Sequence, residues 1–166
     1  MSRDTSSQVG QPLLKEGDPA PDFTLPTHNE GELNLAWYQG RQNVVLAFYP
    51  GDFTPVCSAQ IPAYQDVLER FEQLNTKVLG ISVDSLAVHD AWAKSMGGLA
   101  YPLMSDFYPH GEVAKKYGVF DEKWGVAQRV VFLIDKKGII RYIERTMFSD
   151  LPSNDELFRR IEALEE

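Results

Sequence analysis

The chain has 166 residues, 43% of them hydrophobic and 24% charged, a composition that suits one folded domain rather than a disordered chain. Sixteen basic against twenty-four acidic side chains leave a formal net charge of −8, which disfavours nucleic acid and anionic membrane as primary ligands because both are polyanions. A single cysteine excludes an intrachain disulfide framework, a Cys-x-x-Cys redox pair and any zinc site built on four cysteines.

No apolar run reaches the roughly 18 residues that a membrane span needs, and the opening MSRDTSSQVG lacks the apolar stretch of a signal peptide. A cytoplasmic location is expected, with residues 1–12 as a disordered tail and 13–166 as one domain. Gly17, Pro19, Pro21 and Pro26 predict an extended, irregular path around Leu13 to Leu25. Leu33 to Leu35 alternates and predicts a short strand. Asn43 to Tyr49 is an apolar run ending at Pro50-Gly51, which suits a strand buried on both faces. From Cys57 to Leu74 the apolar positions Ile61, Tyr64, Val67, Leu68, Phe71 and Leu74 recur at three and four residues, predicting one helix.

Lys77 to Val83 predicts a second buried strand. Ser85 to Met96 predicts a second helix, with Leu86, Trp92 and Met96 as core contacts. A shorter strand at Pro102 to Met104 and a brief helix at Glu112 to Tyr117 follow. Arg129 to Ile134 and Ile139 to Ile143 flank Asp135-Lys136-Lys137-Gly138 and predict an antiparallel hairpin. Asn154 to Leu164 closes the chain as an amphipathic helix, capped by Ser153 or Asn154. The order predicts an α/β fold with a central mixed β-sheet flanked by helices on both faces.

The segment Tyr49-Pro50-Gly51-Asp52-Phe53-Thr54-Pro55-Val56-Cys57 lies between a buried strand and a helix, and ligand sites of open α/β sheets gather outside the carboxyl ends of strands. Cys57 would sit in the first helical turn, where unpaired N–H groups and the macrodipole favour an anion. Cysteines in that environment are commonly held as the nucleophilic thiolate. Thr54, three residues upstream, can turn its hydroxyl toward the same point, and Pro50 and Pro55 stiffen the loop. A lone cysteine is more often a small buried hydrophobe than a catalyst, so the residues alone reach an activated thiol and no further.

Pro50, Thr54 and Cys57 reproduce the Pro-x-x-x-Thr-x-x-Cys signature of the peroxiredoxins, and FYPGDFTPVC resembles that family's active-site loop. The similarity runs along nearly the whole chain: Asp18-Pro19-Ala20-Pro21-Asp22-Phe23, Gly80-Ile81-Ser82-Val83-Asp84-Ser85 and Ala91-Trp92 match the family's opening, second strand and next helix. Arg129, two residues before Val131, matches the family's active-site arginine. The resemblance, near the alkyl hydroperoxide reductase and bacterioferritin-comigratory-protein-like branches, implies a thioredoxin-like fold and thiol-dependent peroxide reduction.

In that reading the Cys57 thiolate attacks a peroxide oxygen and becomes a sulfenic acid. Backbone N–H groups and the Arg129 guanidinium would meet the developing negative charge. Thr54 would accept the peroxide hydrogen while donating to the sulfur, and Pro50 would shield the thiolate. No metal, haem or flavin is implied, and an antioxidant role is. Phe53 is a candidate contact for a homodimer built around the loop.

Two departures bear on the cycle. The position five after Cys57, where one branch places a resolving cysteine, is Pro62. The chain therefore resembles a one-cysteine peroxiredoxin whose reductant is an external thiol: thioredoxin, glutaredoxin or a low-molecular-weight thiol. Gln60 stands where a Glu is common, and its amide can bond Arg129 without an ion pair.

His28, His89 and His110 share no ligand spacing and read as surface or hydrogen-bonded histidines. Trp124 and Phe120 are placed in a loop ahead of Arg129. Two other functions compete. A cysteine hydrolase would need a histidine base within reach of Cys57, and no pattern ties one to it. A non-catalytic thioredoxin-like binding or sensor module would need the same thiol activation and differ in turnover.

Overall fold

The computed structural model describes residues 13–164; the tail expected at 1–12 lies outside them. Strand β1 (Thr24–Pro26) pairs antiparallel with β2 (Glu32–Asn34) in a small ribbon. A 3₁₀ turn, Leu35–Tyr38, leads to β3 (Asn43–Phe48), and α1 (Cys57–Asp66) and α2 (Leu68–Gln73) follow. Then come β4 (Thr76–Ser82), α3 (Leu86–Ser95), β5 (Leu103–Ser105) and α4 (Glu112–Lys116). A second ribbon, β6 (Phe120–Asp121) with β7 (Val126–Ala127), precedes the hairpin β8 (Arg129–Ile134) and β9 (Ile140–Thr146), and α5 (Asn154–Leu164) ends the described chain.

The five-stranded sheet has the order β5-β4-β3-β8-β9. β3, β4 and β5 run parallel, whereas β8 is antiparallel to β3 and to β9. β3 and β8 are buried at every residue, as central strands covered on both faces must be. The two-residue side-chain period of a strand divides the core. Val44, Leu46 and Phe48 pack with Phe132, Val113 and Tyr117 on the α4 face. Val45, Ala47 and Tyr49 pack with Ile61, Tyr64, Trp92, Val131 and Phe158 on the face covered by α1, α2, α3 and α5.

Several local expectations change. The single helix over Cys57 to Leu74 is two. Val67 leaves helical geometry (φ −119°, ψ 21°), and the bonds Val67 N–H to Tyr64 O and Arg70 N–H to Val67 O reset the register to i−3. Leu86, expected in the core, is 39% exposed at the start of α3, and its place is taken one turn on by His89, fully buried. Trp124 and Phe120 belong to the β6–β7 ribbon, turned by Gly125 at φ +69°, with Phe120 buried and Trp124 exposed. Ser153 caps α5, its Oγ accepting from the Glu156 N–H at 3.2 Å.

Candidate active site

β3 delivers the chain to the sheet's carboxyl edge at Phe48, and residues 50–56 carry it across to α1, whose first residue is Cys57. The thiol is completely buried. The sequence expectation of several unpaired N–H groups here is not met, because the amides of Ser58, Ala59 and Gln60 already donate to the Thr54 and Val56 carbonyls. Thr54 is tied into this turn twice: its carbonyl accepts from the Ser58 N–H at 2.8 Å, and its hydroxyl donates to the Gly51 carbonyl at 2.7 Å. The hydroxyl proton is therefore committed to Gly51 rather than to the sulfur, contrary to the sequence expectation. Its lone pairs remain available as acceptors. Pro50 is half-buried at the loop's start, while Phe53 projects from it at φ +64° and is 57% exposed.

Arg129 opens β8, and Val130 pairs with Phe48, so the antiparallel register sets Arg129 beside the end of β3. Strand parity puts it on the same face as Val131 and Leu133, the face that holds Cys57. Its guanidinium reaches the Cys57 Sγ at 3.3 Å through Nη1, which also donates to the Gln60 Oε1. Nη2 donates to the Phe148 carbonyl at 3.0 Å. Arg129 is 2% exposed, so its positive charge stands against the sulfur with little solvent screening. Gln60, one helical turn from Cys57, donates from Nε2 to the Tyr64 hydroxyl at 3.1 Å, and burial pushes the Tyr64 phenol up to about 12. The chain of bonds Tyr64–Gln60–Arg129–Cys57 thus runs from a neutral phenol through the guanidinium to the sulfur. Gln60 also forms part of the wall of a groove of about 300 Å³ between α1 and residues 151–155.

Cys57, Thr54, Pro50, Arg129 and Gln60 all lie at this edge; Phe53 is exposed, its ring centroid 6.2 Å from that of Trp92. Sequence reasoning missed Tyr64, whose i+4 spacing from Gln60 was a usable signal, and a cluster of buried Tyr49, Asp52 and His89 with partly buried Asp84. Asp52, Asp84 and His89 are the only His/Cys/carboxylate group with metal-like proximity among the described residues. Both ring nitrogens of His89 are engaged, Nδ1 with the Asp52 carboxyl and Nε2 with the Met104 carbonyl, so the ring offers no free ligand. His28 accepts from the Leu103 N–H and His110 bonds the Gly125 carbonyl, as expected of structural histidines.

A buried cysteine at a helix start thus lies against an arginine from β8, and comparison with known proteins names the family. Residues 16–143 match the model of the AhpC/TSA family. The chain belongs to that family, the peroxiredoxins. Alkyl hydroperoxide reductase E of Mycobacterium tuberculosis is 42% identical over 132 residues, 80% of this chain and 86% of that protein. Peroxiredoxin-1 of Gallus gallus is 42% identical over 162 residues, 90% and 78% of the two chains. The reduced 2-Cys peroxiredoxin of Plasmodium vivax superposes with a TM-score of 0.85 at 34% identity, covering 92% of this chain and 82% of its own. AhpC of Enterococcus faecalis gives 0.82 at 29% identity, covering 90% and 92%.

The peroxiredoxin has the thioredoxin-like α/β fold and is a thiol-dependent peroxide reductase. No helix among the described residues is long and apolar enough to cross a membrane.

Proposed function

We propose that Cys57 is the peroxide-reactive nucleophile and that Thr54, Pro50 and Arg129 complete the site around it. The observation that carries this reading is the buried contact of the Arg129 guanidinium with the Cys57 sulfur at 3.3 Å. The thiolate attacks one peroxide oxygen, the O–O bond breaks, and the departing oxygen leaves as water or alcohol once protonated; Cys57 is left as a sulfenic acid. Arg129 holds the sulfur and faces the charge that grows on the breaking bond. Thr54, its proton donated to Gly51, accepts from the peroxide O–H. Pro50 covers the approach and Gln60 fixes the arginine's orientation.

The 166 residues contain no second thiol, which favours reduction of the sulfenic acid by an external thiol such as thioredoxin, glutaredoxin or a small thiol. Phe53, exposed beside the site, suits a contact with a second copy of the chain. The test is intact-protein mass after one equivalent of hydrogen peroxide with dimedone present, on the wild type and on Cys57→Ser. One trapped sulfenic acid is expected in the wild type and none in the variant. A wild type that stays unmodified overturns the assignment.

A further inference from the structure

The cluster that the sequence did not reveal lies directly under the active-site loop. Asp52 and His89 side chains are both fully buried, with Asp52 Oδ2 2.6 Å from His89 Nδ1. The Met104 carbonyl can only accept, so His89 Nε2 carries a proton and donates to it at 2.9 Å. One further proton is then shared between Nδ1 and the Asp52 carboxyl. The other carboxyl oxygen of Asp52 accepts from the Tyr49 hydroxyl at 2.7 Å. Burial pushes the Asp52 carboxyl up, and the bond and charge of His89 oppose that push.

An isolated buried carboxylate is costly to hold, and this one sits in the loop itself, two residues from both Pro50 and Thr54. Its main chain shows what the arrangement secures. The Asp52 N–H donates to Asp84 Oδ2 at 2.9 Å, and that oxygen also accepts from Ser82 Oγ at 2.6 Å. The carbonyl of the same peptide unit, Gly51 O, accepts the Thr54 hydroxyl at 2.7 Å. The Gly51–Asp52 peptide is therefore gripped at both ends: from below by Asp84, and on its carbonyl side by the hydroxyl that meets peroxide. Turning this peptide would break both the Asp84 bond and the bond that orients the Thr54 hydroxyl.

We propose that Asp52, His89 and Asp84 are positioning residues for peroxide reduction, clamping the Gly51–Asp52 peptide so that the Thr54 hydroxyl presents its acceptor to peroxide at Cys57. The inference rests on the roles of Thr54 and Cys57 given above. None of the three touches the sulfur, so their removal should affect the peroxide step and spare other chemistry at the thiol.

The experiment is a double-mutant cycle on the full chain. Sulfenic acid formation with hydrogen peroxide and alkylation by iodoacetamide are measured for the wild type, Asp52→Ala, Thr54→Val and the pair. Asp52→Ala is expected to slow the peroxide step by about 10- to 100-fold, the scale of a misplaced reacting group, with alkylation within about threefold of the wild type. In the Thr54→Val background, Asp52→Ala should add less than about twofold, because a residue acting through another is not additive with it. Asp52→Asn should restore the rate to within about threefold, since its amide can accept from Tyr49 and donate to neutral His89.

Full additivity in the cycle, an equal fall in alkylation, or an Asn variant as slow as the Ala variant would each overturn the proposal. If Asp52→Ala does not fold, Asp84→Ala replaces it in the same cycle, because Asp84 is only partly buried, and the same outcomes decide. An inactive wild type would remove the functional reading as well, and that result is visible before any variant is made.

Discussion

Replacing Arg129 by Met keeps an unbranched stem and most of the volume of the side chain while removing its charge and three hydrogen bonds, to Cys57 Sγ, Gln60 Oε1 and the Phe148 carbonyl. Two unit charges 3.3 Å apart attract by about 5 kcal/mol at an effective dielectric constant of roughly 20, which sets a ceiling. Much of that attraction already exists before reaction, and only the part that grows as charge moves onto the breaking O–O bond accelerates the step. A single charge-assisted hydrogen bond, about 1.5–3 kcal/mol, is the appropriate measure of that part. At about 1.4 kcal/mol per decade, Arg129→Met should slow sulfenic acid formation by roughly 10- to 150-fold. The assay is quenched-flow trapping with dimedone, divided by the iodoacetamide alkylation rate of the same variant, so that any change in thiolate supply cancels. A ratio within twofold of the wild type, in a protein that still unfolds cooperatively, would refute the assignment of Arg129 to the O–O cleavage step.

Gln60→Glu would convert the amide–guanidinium contact with Arg129 into an ion pair; a gain of about 1 kcal/mol is expected in the urea unfolding free energy, and a loss would mean that burying the carboxylate dominates. Gly80→Ala would place a Cβ 2.8 Å from Leu103 Cδ2, with Tyr49 and Tyr101 closing the space behind it. Overpacking of that kind should cost about 1–3 kcal/mol of unfolding free energy, and an unchanged denaturation midpoint would contradict the packing described. Burial raises the Tyr64 phenol to about 12 and raises Tyr49 and Tyr101 as well. Because the folded state holds those protons more tightly, its stability is complete below the ordinary phenol value near 10 and is lost as pH rises toward 12. Urea midpoints measured along that range should fall steadily, and Tyr64→Phe should flatten part of the decline.

The candidate loop was legible because its residues are close in the chain: Pro50, Thr54 and Cys57 lie within one connection between a strand and a helix. Arg129 was legible only through the family resemblance, yet strand parity explains its placement, since β8 must turn Arg129 to the face of Val131 and Leu133. The Asp52–His89 pair was invisible for the opposite reason. Its members lie 37 residues apart, on elements whose contact depends on how α3 packs against the sheet, and a lone histidine in a helix carries no periodic signal. The same tertiary packing buries His89 where apolar periodicity favoured Leu86. Thr54 illustrates a finer limit: its place in the loop was read, but the partner of its proton was set by the Gly51 carbonyl, a main-chain group with no sequence signature. Likewise the break at Val67 leaves no mark in an apolar pattern that continues through both helices.

The contact between Cys57 and Arg129 bridges 72 residues, and another of the arginine's partners, the Phe148 carbonyl, lies a further 19 along. During synthesis, which runs from the N-terminus, the thiol emerges on β3 and α1 long before its cation exists. On the role proposed for Arg129, full reactivity therefore waits for the β8–β9 hairpin to close against β3. A nascent or truncated chain that ends before residue 129 carries the loop signature complete but lacks the proposed cation, so on that proposal the rise to full peroxide reactivity serves as a clock for the last stage of folding.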